Sequence, residues 1–250
     1  EGKDYAEWNK TLWDSAVEES SLIQNLKWRA GYLKKYLSSF TVYHFHDTSV
    51  SSPMRGDCNI NDNEYLRDNG SNLAAFLYSM MQNDETNFRL IEGVVSSIAP
   101  YFKCFKLRPD VNDKERIRLE WEEKETDMYL NGYSFSDGTL RFIALATLLL
   151  QSKTPEVIVI DEPELGLHPA AINKFAELVK RASNKSQIIL STQSTNLVNC
   201  FDVKDIIVVD RIESQSVFRH LSEEDLATWM DEYDLSISDL WEKNMIGGQL

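Results

Sequence analysis

The sequence predicts an α/β fold: a parallel sheet with flanking helices, attached to an irregular α+β arm region. Three observations lead there. From about residue 131 onward, short β-branched runs alternate with amphipathic stretches, the rhythm of strand–helix units. One run, Val157 to Ile160, is wholly apolar, as in strands covered on both faces of a parallel sheet. The residues before 131 are more polar and rich in turns. Residues 1–130 are therefore read as an arm or insertion region with the end of an N-terminal lobe, and 131–250 as a compact lobe.

The arm contributes these elements. Leu22, Ile23, Leu26, Leu33 and Leu37 recur at helical spacing. Trp8, Trp13 and Trp28 lie near helical positions and are read as core. Phe40 to Phe45 favours a strand through Val42, Tyr43 and Phe45. Asp47 to Asn63 collects Ser, Asp, Asn, Pro and Gly and reads as a loop. Asn69-Gly70-Ser71-Asn72 is a turn before a helix over Leu73 to Met81. A further helix, Phe88 to Ile98, stops before Pro100. Ile117 to Trp121 and Met128 to Leu130 read as short strands. The acidic run Glu120 to Glu125 between them reads as a solvated hairpin end.

In the second part, Ser136 caps a helix reaching about Gln151, with Asp137 suited to its first turn. The strand Val157 to Ile160 follows. Pro169 opens a helix to Ala182. Gln187 to Leu190 reads as a second buried strand, Asp205 to Val209 as a third, and Gln215 to His220 as an edge strand. Ser222 to Met230 and Ser236 to Lys243 read as helices, the first opened by Ser222 with Asp225.

Bulk composition narrows the function. A formal net charge of -14 argues against a general nucleic-acid surface, which needs clustered Lys and Arg. Cys58, Cys104 and Cys200 are few, odd in number and widely spaced. They suit a reducing cytoplasm and make neither a disulfide framework nor a zinc motif. The uncharged run Phe142 to Leu150 is far short of the roughly 20 residues that span a bilayer. No signal peptide opens the chain, and it lacks an initiating Met, as a fragment or processed product would.

Three short stretches carry chemistry. Asp161 and Glu162 follow the apolar strand, at the edge where α/β folds bind ligands. One carboxylate can hold Mg²⁺, and its neighbour can align and deprotonate a water. Alone, such a pair reads more readily as a solvated strand end. Ser134 to Arg141, S-F-S-D-G-T-L-R, places Gly138 at a helix start whose amides suit a phosphate. Ser191 to Asn196, S-T-Q-S-T-N, puts hydroxyls and an amide after another strand. Weaker candidates also stand out. His44 and His46 would share a strand face and could ligate a metal, although a surface strand with polar tips is the favoured reading. His168 reads as a packing residue rather than a ligand.

Taken together and in order, the three stretches resemble the ABC-type ATPase heads of the RecF- and SMC-like group, and within it the bacterial AAA-family ATPases labelled AAA_21. Val157 to Glu162 resembles the Walker B strand, and Phe135 to Arg141 the signature motif. Leu165 to Pro169 resembles the D-loop, and Ser191 to Ser194 the switch loop. Ser52 to Arg55, Asp68 to Ala74 and Leu240 to Lys243 also resemble pieces of this family. The resemblance implies a P-loop NTPase lobe that binds ATP and Mg²⁺, with Asp161 on the cation and Glu162 as base. It implies that Ser136, Asp137, Gly138 and Thr139 face nucleotide held by a second copy, and that Gln193 senses the γ-phosphate.

The same resemblance implies an ATP hydrolase acting as a head-to-head dimer or higher oligomer in the cytoplasm. Such a head would drive a nuclease or effector partner, or DNA itself, in DNA repair, DNA maintenance or phage defence, away from membranes. A nucleotide-gated interaction module with little hydrolysis is the alternative. Two departures stand beside it. No G-x-x-x-x-G-K-[ST] loop occurs in the chain, so activity is expected to need a phosphate-loop lobe that the chain lacks. Gln193 stands where relatives usually carry His, which implies slower hydrolysis.

Overall fold

The computed structural model describes residues 40–126, 128–222, 226, 235–243 and 245–248. The expected Leu22–Leu37 helix, the three N-terminal tryptophans and the Ser222–Met230 helix start fall wholly or largely outside the described residues.

A parallel three-stranded sheet carries the site. Its strands are β1 (Thr41–Tyr43), β7 (Val157–Asp161) and β8 (Gln187–Ser191), with β7 in the middle. Thr41 to Tyr43 pair with Ile158 to Ile160, and Val157 to Asp161 with Gln187 to Ser191. β7 is flanked by neighbours on both sides and its apolar residues are mostly buried, which explains its continuous Val/Ile run. β8 alternates exposed and half-buried residues, so it is not the fully buried strand expected from its composition.

The helices follow their caps. α1 (Leu73–Asn83) begins after the Gly70 turn, where φ is 70°. α2 (Glu85–Ile98) starts three residues before the expected Phe88, because the Asp84 side chain accepts the Asn87 amide and caps it. α3 (Asp137–Leu150) has Ser136 as N-cap, its side chain accepting the Thr139 amide. Every residue of α3 from Thr139 to Leu150 is buried. A helix enclosed on all sides needs no polar face, so its apolar run is a core signal. α4 (Pro169–Ala182) matches its expected bounds, with Pro169 in its first turn and Lys180 and Arg181 in its last. α5 (Thr195–Val198) is a single turn after β8. α6 (Ile237–Glu242) opens with a capping box between Ser236 and Asp239.

Three small antiparallel sheets complete the fold among the described residues, and they revise the strand expectations. β2 (Cys58–Asn59) pairs with β4 (Arg116–Ile117). β3 (Phe102–Phe105), β5 (Glu120–Glu123) and β6 (Tyr129–Asn131) form one sheet. The expected single strand from Ile117 to Trp121 is thus two strands serving two sheets. β3 gave little signal, being short and interrupted by Lys103.

The acidic run is not a purely solvated hairpin end. Trp121 is buried and lies stacked on Phe135, ring centres 4.6 Å apart. Glu122 is also buried and pairs with Lys103 at 2.5 Å and Lys106 at 2.6 Å. Hydrogen bonds from those two lysines pull its pKa down to about 2.

β9 (Ile207–Ile212) and β10 (Gln215–His220) form an antiparallel hairpin of their own. β9 therefore does not join the parallel sheet among the described residues, contrary to the expectation of a third strand there. Of its apolar residues only Val208 is buried, in a second small core with Leu221, Ile237, Leu240 and Ile246, while Ile207, Val209 and Ile212 are exposed. The main core runs from Tyr43 to Leu197 and joins α1 to α4 with the sheet.

Candidate functional site at the carboxyl edge of the parallel sheet

β7 ends on Asp161 at the edge where parallel sheets bind ligands. The chain turns at once. Glu162 adopts φ 39°, in the left-handed region. Its amide donates to the Ser191 carbonyl at 2.9 Å, and its carbonyl accepts from the Leu165 amide at 3.2 Å. A residue with a Cβ holds this conformation at a cost of about 1–2 kcal/mol, and such strain concentrates at working sites. Gly166, with φ 74°, carries the turn onward. His168 then caps α4, its Nδ1 accepting from the Ala170 amide at 3.2 Å. That cap gives His168 a structural task at the start of the helix.

β8 delivers a row of hydroxyls to the same edge. Ser191 Oγ donates to Asp161 Oδ1. Thr192 Oγ1 donates to Glu164 Oε1 at 2.5 Å. Ser194 turns back to cap α5. Gln193 is exposed, and its amide has no hydrogen-bond partner among the described residues. Glu164 Oε2 is buried and likewise unpartnered. A buried carboxylate oxygen without a donor retains the capacity to accept one.

The start of α3 approaches from the other side of the turn. A Cβ built on Gly138 would collide with the Gly166 carbonyl oxygen, so Gly is required by this close approach. The amides of Asp137 and Gly138 are first-turn donors without intrahelical acceptors. Ser136 and Asp137 are exposed and Gly138 is half-buried. Thr139 is buried, its Oγ1 lying 2.8 Å from Ser136 Oγ and 3.2 Å from the Tyr101 hydroxyl. The structure thus gathers Asp161, Glu162 and the Ser191–Ser194 loop at one edge, with the Ser136 helix start against the intervening turn.

Two arginines that sequence reasoning left without a role tie these parts together. Arg55 donates to the carbonyls of Thr48 at 2.9 Å, Gly132 at 2.6 Å and Phe135 at 2.9 Å, and pairs with Asp137 at 2.7 Å. It offsets the acidic charge at the helix start. Arg141 donates to the carbonyls of Phe45 at 2.8 Å and His46 at 2.8 Å. Burial pulls its pKa below the usual guanidinium value, and Asp137 and Glu164 oppose that shift. Both side chains are almost fully enclosed. The available signal was a cation inside an apolar run: Arg141 lies between Leu140 and Phe142.

His46 also belongs to this edge. Its Nε2 lies 2.7 Å from the Asp161 backbone carbonyl oxygen. A carbonyl can only accept, so Nε2 carries the proton and donates. His44 and His46 follow β1 rather than lying in it, and their ring centres are 5.9 Å apart. The favoured reading of a plain surface strand is revised: the segment packs against the end of β7. That pairing joins residues more than a hundred positions apart, which local pattern cannot show.

Comparison with known proteins identifies the family and several partial relatives. The family model described as "AAA domain, putative AbiEii toxin, Type IV TA system" (AAA_21) matches residues 34–199. ABC transporter A family member 11 of Dictyostelium discoideum is 30% identical over 111 residues, 40% of this chain and 13% of that protein. The Old nuclease of Escherichia phage P2 is 31% identical over 111 residues, 40% of this chain and 19% of the nuclease. These curated relatives are therefore matched over less than a fifth of their own length. A solved structure described under "ATP-driven dimerization and DNA stimulated activation of SMC ATPases" covers 64% of this chain and 98% of its own, at 20% identity and a TM-score of 0.47. The family model spans well over half of the chain, including the β7 carboxylates and the Ser136 helix start. The chain belongs to the AAA_21 family.

Proposed function

We propose that the chain forms part of an ATP-hydrolysing head that closes on nucleotide with a second copy. The carboxylate pair at the end of β7 carries this reading. Asp161 and the Ser191 hydroxyl present oxygen donors, which fit Mg²⁺. Bound there, Mg²⁺ would neutralise phosphate charge as a Lewis acid. Glu162, one residue on, is the base that orients and deprotonates the attacking water. Its left-handed backbone is held by the amide bond to the Ser191 carbonyl, directly after Asp161.

The remaining residues bind and sense phosphate. Ser136, Asp137, Gly138 and Thr139 form the N-terminus of a helix, where free amides and the helix dipole favour an anion. Arg55 keeps the Asp137 carboxylate paired, which lowers its repulsion of a phosphate. In this reading they face nucleotide held by the partner copy. Gln193, exposed two residues beyond Ser191, donates its amide hydrogen to a γ-phosphate oxygen or positions the water. The sequence contains no G-x-x-x-x-G-K-[ST] motif, so the phosphate cradle is to be supplied by another segment.

The head would act in the cytoplasm on a nuclease-type effector or on DNA, in repair, maintenance or phage defence. The match to the Old nuclease supports that direction. ATP turnover of the native gene product tests the core of the reading. Glu162→Gln is expected to lower turnover by about 10²–10⁴-fold, the usual contribution of a general base. Unchanged turnover would remove Glu162 from the mechanism.

A second reading, a nucleotide-gated interaction module, is favoured by one observation. Gln193 is a neutral amide at the switch position and cannot carry the positive charge of a protonated His. ATP-dependent dimerisation without phosphate release would support it. A faster Gln193→His variant would show that the amide limits hydrolysis.

A further inference from the structure

We propose that His44, His46 and Asp161 form a site for a divalent first-row transition cation, such as Zn²⁺, rather than for Mg²⁺ alone. The nearest nitrogen or carboxylate oxygen of each lies within 4.8 Å of the others. Donor atoms around a tetrahedral cation with bonds of ~2.1 Å stand ~3.4 Å apart, so modest side-chain rotation closes the site. His44 is exposed and free to make that movement.

The surroundings are arranged as a ligand shell requires. His46 donates its Nε2 proton to the Asp161 carbonyl at 2.7 Å. In the neutral ring this leaves Nδ1 with a free lone pair, the tautomer a metal needs. Metal-bound histidines usually donate their second nitrogen to a carbonyl or carboxylate in just this way. Asp161 Oδ1 accepts from Ser191, which orients the carboxylate and leaves Oδ2 for the cation.

The backbone is held as firmly. Arg141 grips the carbonyls of Phe45 and His46, and the His44 amide donates to the Asp68 carbonyl at 2.9 Å. Tyr43 pairs with Ile160, so His44 comes level with Asp161 one residue beyond the register.

Donor chemistry selects the cation. Two imidazoles and one carboxylate suit Zn²⁺, Fe²⁺, Co²⁺ or Ni²⁺, whereas Mg²⁺ prefers oxygen and keeps several waters. Three protein ligands leave a coordination position open for water or a phosphate oxygen. The inference extends the reading of Asp161 as a cation ligand, but it stands or falls without nucleotide.

The test is Co²⁺ titration of the full chain, free of any histidine tag and of nucleotide, followed by visible absorption. One saturable equivalent is expected, displaced by Zn²⁺ and not by a thousandfold excess of Mg²⁺. His44→Ala and His46→Asn should each weaken binding about tenfold or more. His44 is exposed, so its variant should melt like the parent. The chain has four histidines, and His168→Ala and His220→Ala should leave the titration unchanged. Glu162→Gln should also keep the cobalt band whatever its ATP turnover, which separates this inference from the hydrolysis reading. Displacement of Co²⁺ by an equal concentration of Mg²⁺, or unaltered binding in His44→Ala, would overturn it.

Discussion

Glu162 shows what one residue can reveal about the trade between stability and use. Its φ of 39° stores backbone strain that glycine would not feel. Glu162→Gly is therefore expected to raise stability by about 1 kcal/mol, read as a higher denaturant midpoint, while ATP turnover is lost. Arg141 makes the opposite case. Arg141→Met removes two charged hydrogen bonds and strands the carbonyls of Phe45 and His46. A loss of about 3 kcal/mol is expected by chemical denaturation, since each such bond is worth ~1.5–3 kcal/mol. Glu122 adds a pH signature. Its folded pKa, about 2, lies below the usual glutamate value of 4.5. The depressed pKa makes its contribution to stability complete above pH 4.5 and lost as pH falls through about 2. In an acid-unfolding series, Glu122→Gln should flatten the stability loss between those limits relative to the parent.

At the scale of elements, the contact between the start of α3 and the turn after β7 is the tightest constraint. Gly138→Ala would push a methyl group into the Gly166 carbonyl. Alanine normally favours a helix over glycine by ~0.5–1 kcal/mol. Here the clash should reverse that sign, so a lower melting temperature is expected despite better helix propensity. Much of this scale was legible in sequence. The Ser136 cap of α3, the apolar run of β7 and the punctuation by Pro169 at the start of α4 are local signals, and their bounds follow from them. The strands of the arm were less so. β3 is short, and β4 and β5 divide what looks like one run between two sheets. β9 has the composition of a buried strand but pairs with its own hairpin partner. Pairing choices of this kind depend on distant residues, which propensity does not carry.

For the whole molecule, the carboxylates and hydroxyls of the candidate site were visible as short motifs. The residues that organise them were not. Arg55 bridges the loop after β1 to the start of α3, and Arg141 bridges α3 to the segment carrying His44 and His46. Both links span roughly eighty to a hundred positions of chain, and only folding brings their ends together. The same sheet pairing turned two surface-looking histidines into neighbours of Asp161. The candidate edge is thus assembled from four separate segments, the arrangement on which the proposed nucleotide-driven head rests. The central claim is that Glu162 is the base of that head. Its most direct test is ATP turnover of the native gene product and its Glu162→Gln variant, with ATP affinity measured on the same samples. Turnover should fall at least about a hundredfold with affinity retained; equal turnover at equal affinity would contradict the claim.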